Sequence, residues 1–179
     1  MSDFRIVEYQ EAWPLQFLQV AEHLRATVHG PGTVVEHIGS TAVPGLCSKP
    51  VLDILLGVET LRQVEAAIPA LVEAGFAYRP EYESQIPDRR YFIKPAASLP
   101  RLHLHAVTVG SKLWDQHLHF RDRLREDAVL RKDYAALKKH LYIIHAGDKV
   151  AYTEAKAPFI QRVLASRPAN ATSAAQGPA

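Results

Sequence analysis

Residues 36–58 read EHIGSTAVPGLCSKPVLDILLGV, and no other stretch constrains the fold as strongly. A strand-like run from Val34 to Ile38 breaks at Gly39-Ser40-Thr41. A Pro- and Gly-punctuated stretch follows, and Val51 to Val58 forms a second apolar run that carries one acid, Asp53. Short apolar runs rich in Val, Ile and Leu and bounded by turn residues read as buried strands. Two buried strands, the first ending in the Gly-Ser-Thr turn and linked to the second by the Pro- and Gly-punctuated segment, are therefore expected here. A carboxylate inside such a strand is costly unless it is paired, hydrogen-bonded or metal-bound, so Asp53 calls for a partner.

The rest of the chain supplies the elements around this pair. Residues 5–9 read as a short edge strand. Pro14 suits the first turn of a helix, with Leu15, Leu18, Ala21, Leu24 and Val28 at helical spacing and Gly30-Pro31-Gly32 as its end. Thr60 with Gln63 forms a capping box that opens a helix bearing Leu61, Val64, Ile68 and Leu71, closed at Gly75. Residues 76–79, 89–95 and 101–109 read as further strands. From Leu113 the period turns helical, with one stripe of Trp114, His117, Leu118 and Leu124 and a second of Tyr134, Leu137 and Leu141. Asp148 caps a last helical stretch that Pro158 interrupts. This order predicts an α/β (α+β) domain over residues 1–166, with a mixed β-sheet flanked by helices and a C-terminal helical segment. The small, polar tail 167–179 is expected to be disordered.

Composition narrows the function. The chain has 179 residues, a net charge of only +2 and one cysteine, Cys47. A dedicated DNA or RNA binder usually shows a strongly basic stripe, so no nucleic-acid partner is expected. A single cysteine forms no intramolecular disulfide, which fits a reducing, cytoplasmic setting. No apolar run approaches the roughly 20 residues that span a bilayer, so no membrane partner is expected. Oligomeric state is left open.

Several side chains are candidates for chemistry, each with a plainer alternative. Gly39, Ser40 and Thr41 can hold phosphate oxygens through backbone N–H groups and hydroxyls; the same tripeptide also makes an ordinary strand-to-helix turn. Asp53 can bind a hard cation beside phosphate or pair with a basic residue. His103 and His105 share one face of their strand, and Glu36 and His37 alternate, so at most one of these two faces Asp53. Arginine's rigid fork suits phosphate, which brings in Arg90 together with Lys94 and Lys49. Alternation places Arg90 and Lys94 on one face and Arg89 on the other, and such charges also protect an edge strand.

The block EHIGSTAVPGLCSKPVLDILLGV closely resembles the signature of the GrpB-like family. RRYFIKP, RLHLHAV, WDQHLHFRDRLRED, YAALKKHL and YTEAKAPFI follow in the family's order, from about residue 6 to about residue 165. That family is similar to the nucleotidyltransferase superfamily, the fold shared with DNA polymerase beta and aminoglycoside nucleotidyltransferases. The resemblance implies that Gly39-Ser40 holds a triphosphate and that Asp53 is the first acid of an Asp-x-Asp metal pair. Position 55, where the second acid belongs, is Leu55, and a third acid has no match. Fusion of family members to dephospho-CoA kinase implies a link to nucleotides or coenzyme A.

Three functions are weighed on this basis. In the first, a nucleotidyltransferase-like enzyme uses Ser40, Asp53 and His105 as catalytic residues, and Asp53, Glu36, His103 and His105 as a shell for a divalent metal, Mg or Mn ahead of Zn. In the second, a non-catalytic module binds a small-molecule nucleotide or a coenzyme A-like ligand. In the third, a metal-dependent hydrolase uses Asp53, His103 and His105.

Overall fold

A computed structural model describes residues 5–166; the tail expected to be disordered lies outside them. In chain order the elements are α1 (Ala12–Thr27), β1 (Val34–Ile38), a short 3-10 turn (Ser40–Ala42), β2 (Val51–Val58), α2 (Leu61–Glu73), β3 (Ala77–Tyr78), a second 3-10 turn (Pro80–Tyr82), β4 (Arg89–Lys94), β5 (Arg101–Thr108), α3 (Lys112–Glu126), α4 (Ala128–Ile144), α5 (Lys149–Glu154) and α6 (Ala157–Ala165). The five strands form one mixed sheet in the order β1-β2-β5-β4-β3, and only the central β2–β5 pair is parallel. The fold is thus the mixed α+β sheet flanked by helices that the sequence predicts.

Period-two alternation divides the strands between two cores. Leu52, Ile54 and Leu56 of β2 and Leu102, Leu104 and Ala106 of β5 face α1 and α2, packing with Trp13, Phe17, Leu24, Val64 and Leu71. On the other face, Ile38, Leu55 and Val107 pack on Trp114 of α3. The loop after the first 3-10 turn, through Val43 and Leu46, is buried against Leu124, Tyr134, Phe159 and Val163 of α3, α4 and α6. The C-terminal helices are thereby fixed over the end of the sheet where Asp53 emerges.

Capping explains the helix boundaries. Thr60 and Gln63 form the expected capping box, and Asp127 and Asp148 accept backbone N–H groups at the starts of α4 and α5. Pro158 stands in the first turn of α6, so the last helical stretch is two helices. Two readings are corrected. Residues 5–9 form no strand; Val7 makes only an isolated bridge to Ser48, with both backbone hydrogen bonds at 2.9 Å. The buried stripe of α1 begins at Trp13 and Phe17, while Leu15 and Leu18 are 66% and 55% exposed.

Gly57 sits near the C-terminal end of β2, opposite Val34 and Val107. A Cβ there would lie 2.5 Å from Trp114 Cζ3 and 2.7 Å from Val109 Cγ2. Gly57→Ala is expected to cost about 1–3 kcal/mol through overpacking. Urea denaturation checks this, and an unchanged midpoint contradicts it.

Candidate functional site

Between β1 and β2 the chain must reverse while leaving room for Asp53. Gly39 makes this possible with φ 70° and ψ −170°, a region that is essentially glycine-only. A Cβ at Gly39 would lie 2.3 Å from Asp53 Oδ2, so the turn rests directly on the carboxylate. Ser40 follows at the start of the 3-10 turn.

Asp53 is opposite His103 in the β2–β5 register, and His105 is two residues further on the same face. His103 Nδ1 lies 3.4 Å and His105 Nε2 3.9 Å from the same oxygen, Asp53 Oδ1. Burial alone would raise the Asp53 pKa, but contact with the two imidazoles outweighs it and holds the carboxyl well below its usual range. The His105 imidazole is pushed down by burial, against the pull of Asp53. Arg89 Nη1 lies 3.5 Å from His105 Nδ1. Because an arginine only donates, the His105 proton belongs on Nε2, toward Asp53.

Asp53 and His103, with Tyr91, line the floor of a cleft of about 320 Å³. One wall is the turn and loop carrying Ser40, Ser48 and Lys49, and the other comes from α4 to α6 through Lys138, Tyr152, Thr153 and Lys156. Lys49 Nζ and Lys156 Nζ lie 4.2 and 4.6 Å from the centre of the Tyr152 ring. Burial and the neighbouring Lys156 and Lys149 push Lys49 down to about 8. Burial pushes Lys138 to about 7 and also lowers Lys156. Lys138 is 2% exposed and donates to the Cys47 carbonyl. The cleft is cationic, with one carboxylate at its base.

The structure therefore brings Gly39, Ser40, Lys49, Asp53, His103 and His105 together and separates the other candidates. Thr41 is fully buried and donates to the Val51 carbonyl at 3.1 Å, so it ties the turn to β2 and faces no ligand. Glu36 is held by Arg121 Nη1 at 2.6 Å and completes no shell with Asp53. Arg90 and Lys94 lie on the opposite sheet face because they alternate with Arg89, Tyr91 and Ile93. Arg90 pairs with Glu65 at 2.7 Å, and Lys94 donates to the Ala74 carbonyl at 2.7 Å. Leu55, at the position of the missing acid, is 0% exposed in the apolar cluster beneath α3.

Among the described residues, no three His, Cys, Asp or Glu side chains are grouped so as to hold a metal ion. One carboxylate shared by two imidazoles does not fit a two-metal site, where several carboxylates hold cations about 4 Å apart.

Five residues at or beside the site have no site role in the sequence reading: Tyr91, His117, Lys138, Tyr152 and Lys156. Tyr91 packs on both histidines, with ring centroids 5.8 Å from His103 and 4.9 Å from His105, and burial raises its phenol to about 12. The His117 ring lies 5.3 Å from that of His105. Lys138 was legible in principle, since it stands four residues after Tyr134 on an apolar helical stripe, where a charge is out of place.

A larger cavity of about 570 Å³ opens at the β1 edge, lined by Phe17, Leu18, Glu36, Arg121, Arg125 and Arg131 among others. Its guanidiniums are bound to the Ala42, Leu124 and Arg125 carbonyls and to Glu36 and Asp122. These bonds assign them to packing the helices against β1, and the smaller cleft holds the unusual chemistry.

Buried histidines beside the site make stability sensitive to acid. His37 stacks on Phe17 at 4.7 Å, and its Nε2 lies 3.1 Å from the Thr41 hydroxyl. That hydroxyl gives its proton to Val51, so His37 is the donor. Burial lowers His37 and His117 from 6.5 to about 4. Between those values the unfolded chain binds more protons, so stability falls as pH falls through the window. For His37 the loss is on the order of 3 kcal/mol by about pH 4. Asp53 acts only below the ordinary carboxylate range. Melting scans from pH 7 to 4.5 should show the fall, and His37→Gln should flatten it; parallel slopes would contradict the assignment.

Comparison with known proteins agrees with this architecture. The GrpB protein family matches residues 3–166. A UPF0157 protein of Halalkalibacterium halodurans is 34% identical over 171 residues, covering 96% of this chain and 85% of that protein. The glutamate-rich protein GrpB of Alkalihalophilus pseudofirmus is 32% identical, covering 89% and 92%. A crystal structure of the conserved protein GrpB from Enterococcus faecalis superposes with a TM-score of 0.80 at 32% identity, over 90% of this chain and 95% of that one. The chain belongs to the GrpB family. A dephospho-CoA kinase of Mycolicibacterium paratuberculosis is 28% identical over 88% of this chain and 44% of its own length. No helix among the described residues is long and apolar enough to cross a membrane.

Proposed function

We propose that the cleft between the Gly39-Ser40 turn and α4 to α6 binds a small phosphate-bearing ligand, a nucleotide or a coenzyme A-like molecule. The observation that carries this reading is the set of Lys49, Lys138 and Lys156 around one cleft opposite Ser40. Ammoniums that are buried or partly buried and repel one another are stabilised by an anion, and hydrogen bonds to charged groups are the stronger kind. The similarity to a dephospho-CoA kinase points to the same ligand class.

Binding without nucleotidyl transfer is the reading the geometry favours, because Leu55 and the Glu36–Arg121 pair leave Asp53 as the lone carboxylate. The hydrolase reading has less support. Both imidazoles address one Asp53 oxygen, and the far nitrogen of His105 faces Arg89, an arrangement for hydrogen bonding more than for coordination.

Calorimetry with ATP, dephospho-coenzyme A and coenzyme A tests the proposal. At least one should bind with millimolar or tighter affinity, and Lys156→Gln should weaken it. Absence of binding by all three overturns the proposal. Transfer of a labelled nucleotidyl group from a triphosphate, lost in Asp53→Asn, would restore the enzymatic reading.

A further inference from the structure

Two-metal sites solve a charge problem. They gather carboxylates to hold cations, and the cations neutralise the phosphates. In this cleft the carboxylates are few and the fixed cations are many. Asp53 is the one acid among the lining residues, and it is engaged by His103 and His105. Against it stand three ammoniums from three separate segments: Lys49 before β2, Lys138 in α4 and Lys156 between α5 and α6.

We infer that these lysines, and not divalent cations, neutralise the ligand, so that the cleft takes a diphosphate group without a metal. The inference rests on the reading of the cleft as a phosphate site. Three lysines facing one carboxylate leave a surplus of two positive charges once all three amines are protonated, the form a bound anion favours, which suits an anion of more than one charge. Their placement on three segments around the cleft suits two linked phosphates better than one. Lys49 and Lys156 both lie against the Tyr152 ring, and Lys138 is anchored by the Cys47 carbonyl, so all three heads are held in place before any ligand arrives. Such preorganisation raises affinity by reducing what must be ordered on binding. Asp53 in this arrangement opposes the anion. Its role is to position His103 and His105, and its removal should strengthen binding.

Calorimetric titration of the full chain with inorganic pyrophosphate, in EDTA and again in excess Mg²⁺, tests the inference. The expected result is an affinity in EDTA equal to or tighter than that in Mg²⁺, since Mg²⁺ competes for the ligand's charge. Pyrophosphate should bind about tenfold tighter than inorganic phosphate, Lys156→Gln should lose about tenfold, and Asp53→Asn should gain. Binding that requires Mg²⁺, or disappears in a folded Asp53→Asn, overturns the metal-free assignment while leaving the phosphate site standing. Equal affinity for phosphate and pyrophosphate overturns the diphosphate assignment. No binding of either anion, together with none of the nucleotides or coenzyme A compounds, removes the phosphate site itself. The wild-type comparison with and without Mg²⁺ needs no variant, so it decides even where a variant fails to fold.

Discussion

Gly39→Ala is expected to destabilise the protein by about 2–4 kcal/mol, combining backbone strain with a steric clash. The backbone at φ 70° and ψ −170° excludes side chains, and a Cβ would stand 2.3 Å from Asp53 Oδ2 and 2.9 Å from Asp53 Cβ. Relief requires Asp53 to move away from His103 and His105, so the variant should also disturb the cleft. Gly45→Ala is the control, since Gly45 has a similar φ of 76° but nothing within 4 Å of its added Cβ. Gly45→Ala should cost only the strain, about 1 kcal/mol. Urea denaturation of both variants separates the two effects. Equal losses would show that the turn does not rest on the carboxylate.

The double variant Lys49→Gln/Lys156→Gln is expected to lower affinity for a phosphate-bearing ligand by about a hundredfold. Two hydrogen bonds to a charged group at about 1.5 kcal/mol each amount to that ratio. Wild-type affinity should also fall as pH rises. The ammonium is the binding form, and with Lys49 at about 8 and Lys138 at about 7 the cleft loses positive charge between pH 7 and 9. A bound anion favours the protonated amines, so binding near pH 8 should draw protons from solution. Calorimetry in two buffers of different ionisation enthalpy measures this uptake. Proton release, or affinity unchanged from pH 7 to 9, would contradict the role given to the lysines. The same depressed values have a stability consequence of fixed sign. Between the folded value and the ordinary 10.5 the unfolded chain binds more protons, so stability attributable to Lys138 rises with pH across that range.

Local signals in the sequence are legible because their causes are local. The β2 span of Val51–Val58 follows from an apolar run, broken only by Asp53 and Gly57, between Pro50 and Glu59, the start of α2 from the Thr60–Gln63 capping box, and the break before α6 from Pro158. The pairing of Asp53 with His103 and His105 follows from period-two alternation once β2 and β5 are neighbours, but which strands are neighbours is a tertiary fact. The buried stripe of α1 runs through Trp13 and Phe17, where the spacing alone also allows Leu15 and Leu18. Both sets are helically spaced, and only packing against β1 and β2 decides between them. Lys156 and Tyr152 reach the cleft through helix packing across about a hundred residues of chain, which no periodicity records. Arg90 and Lys94 show the opposite case: their face was readable from alternation, and that face belongs to α2.

A crystal structure of the protein at saturating ADP, with EDTA present, tests the central claim most directly. The expected result is diphosphate density between Ser40 and the ammoniums of Lys49 and Lys156, with Asp53 still on His103. A diphosphate seated among Arg121, Arg125 and Arg131 at the β1 edge, or an empty lysine cleft at saturation, would contradict it.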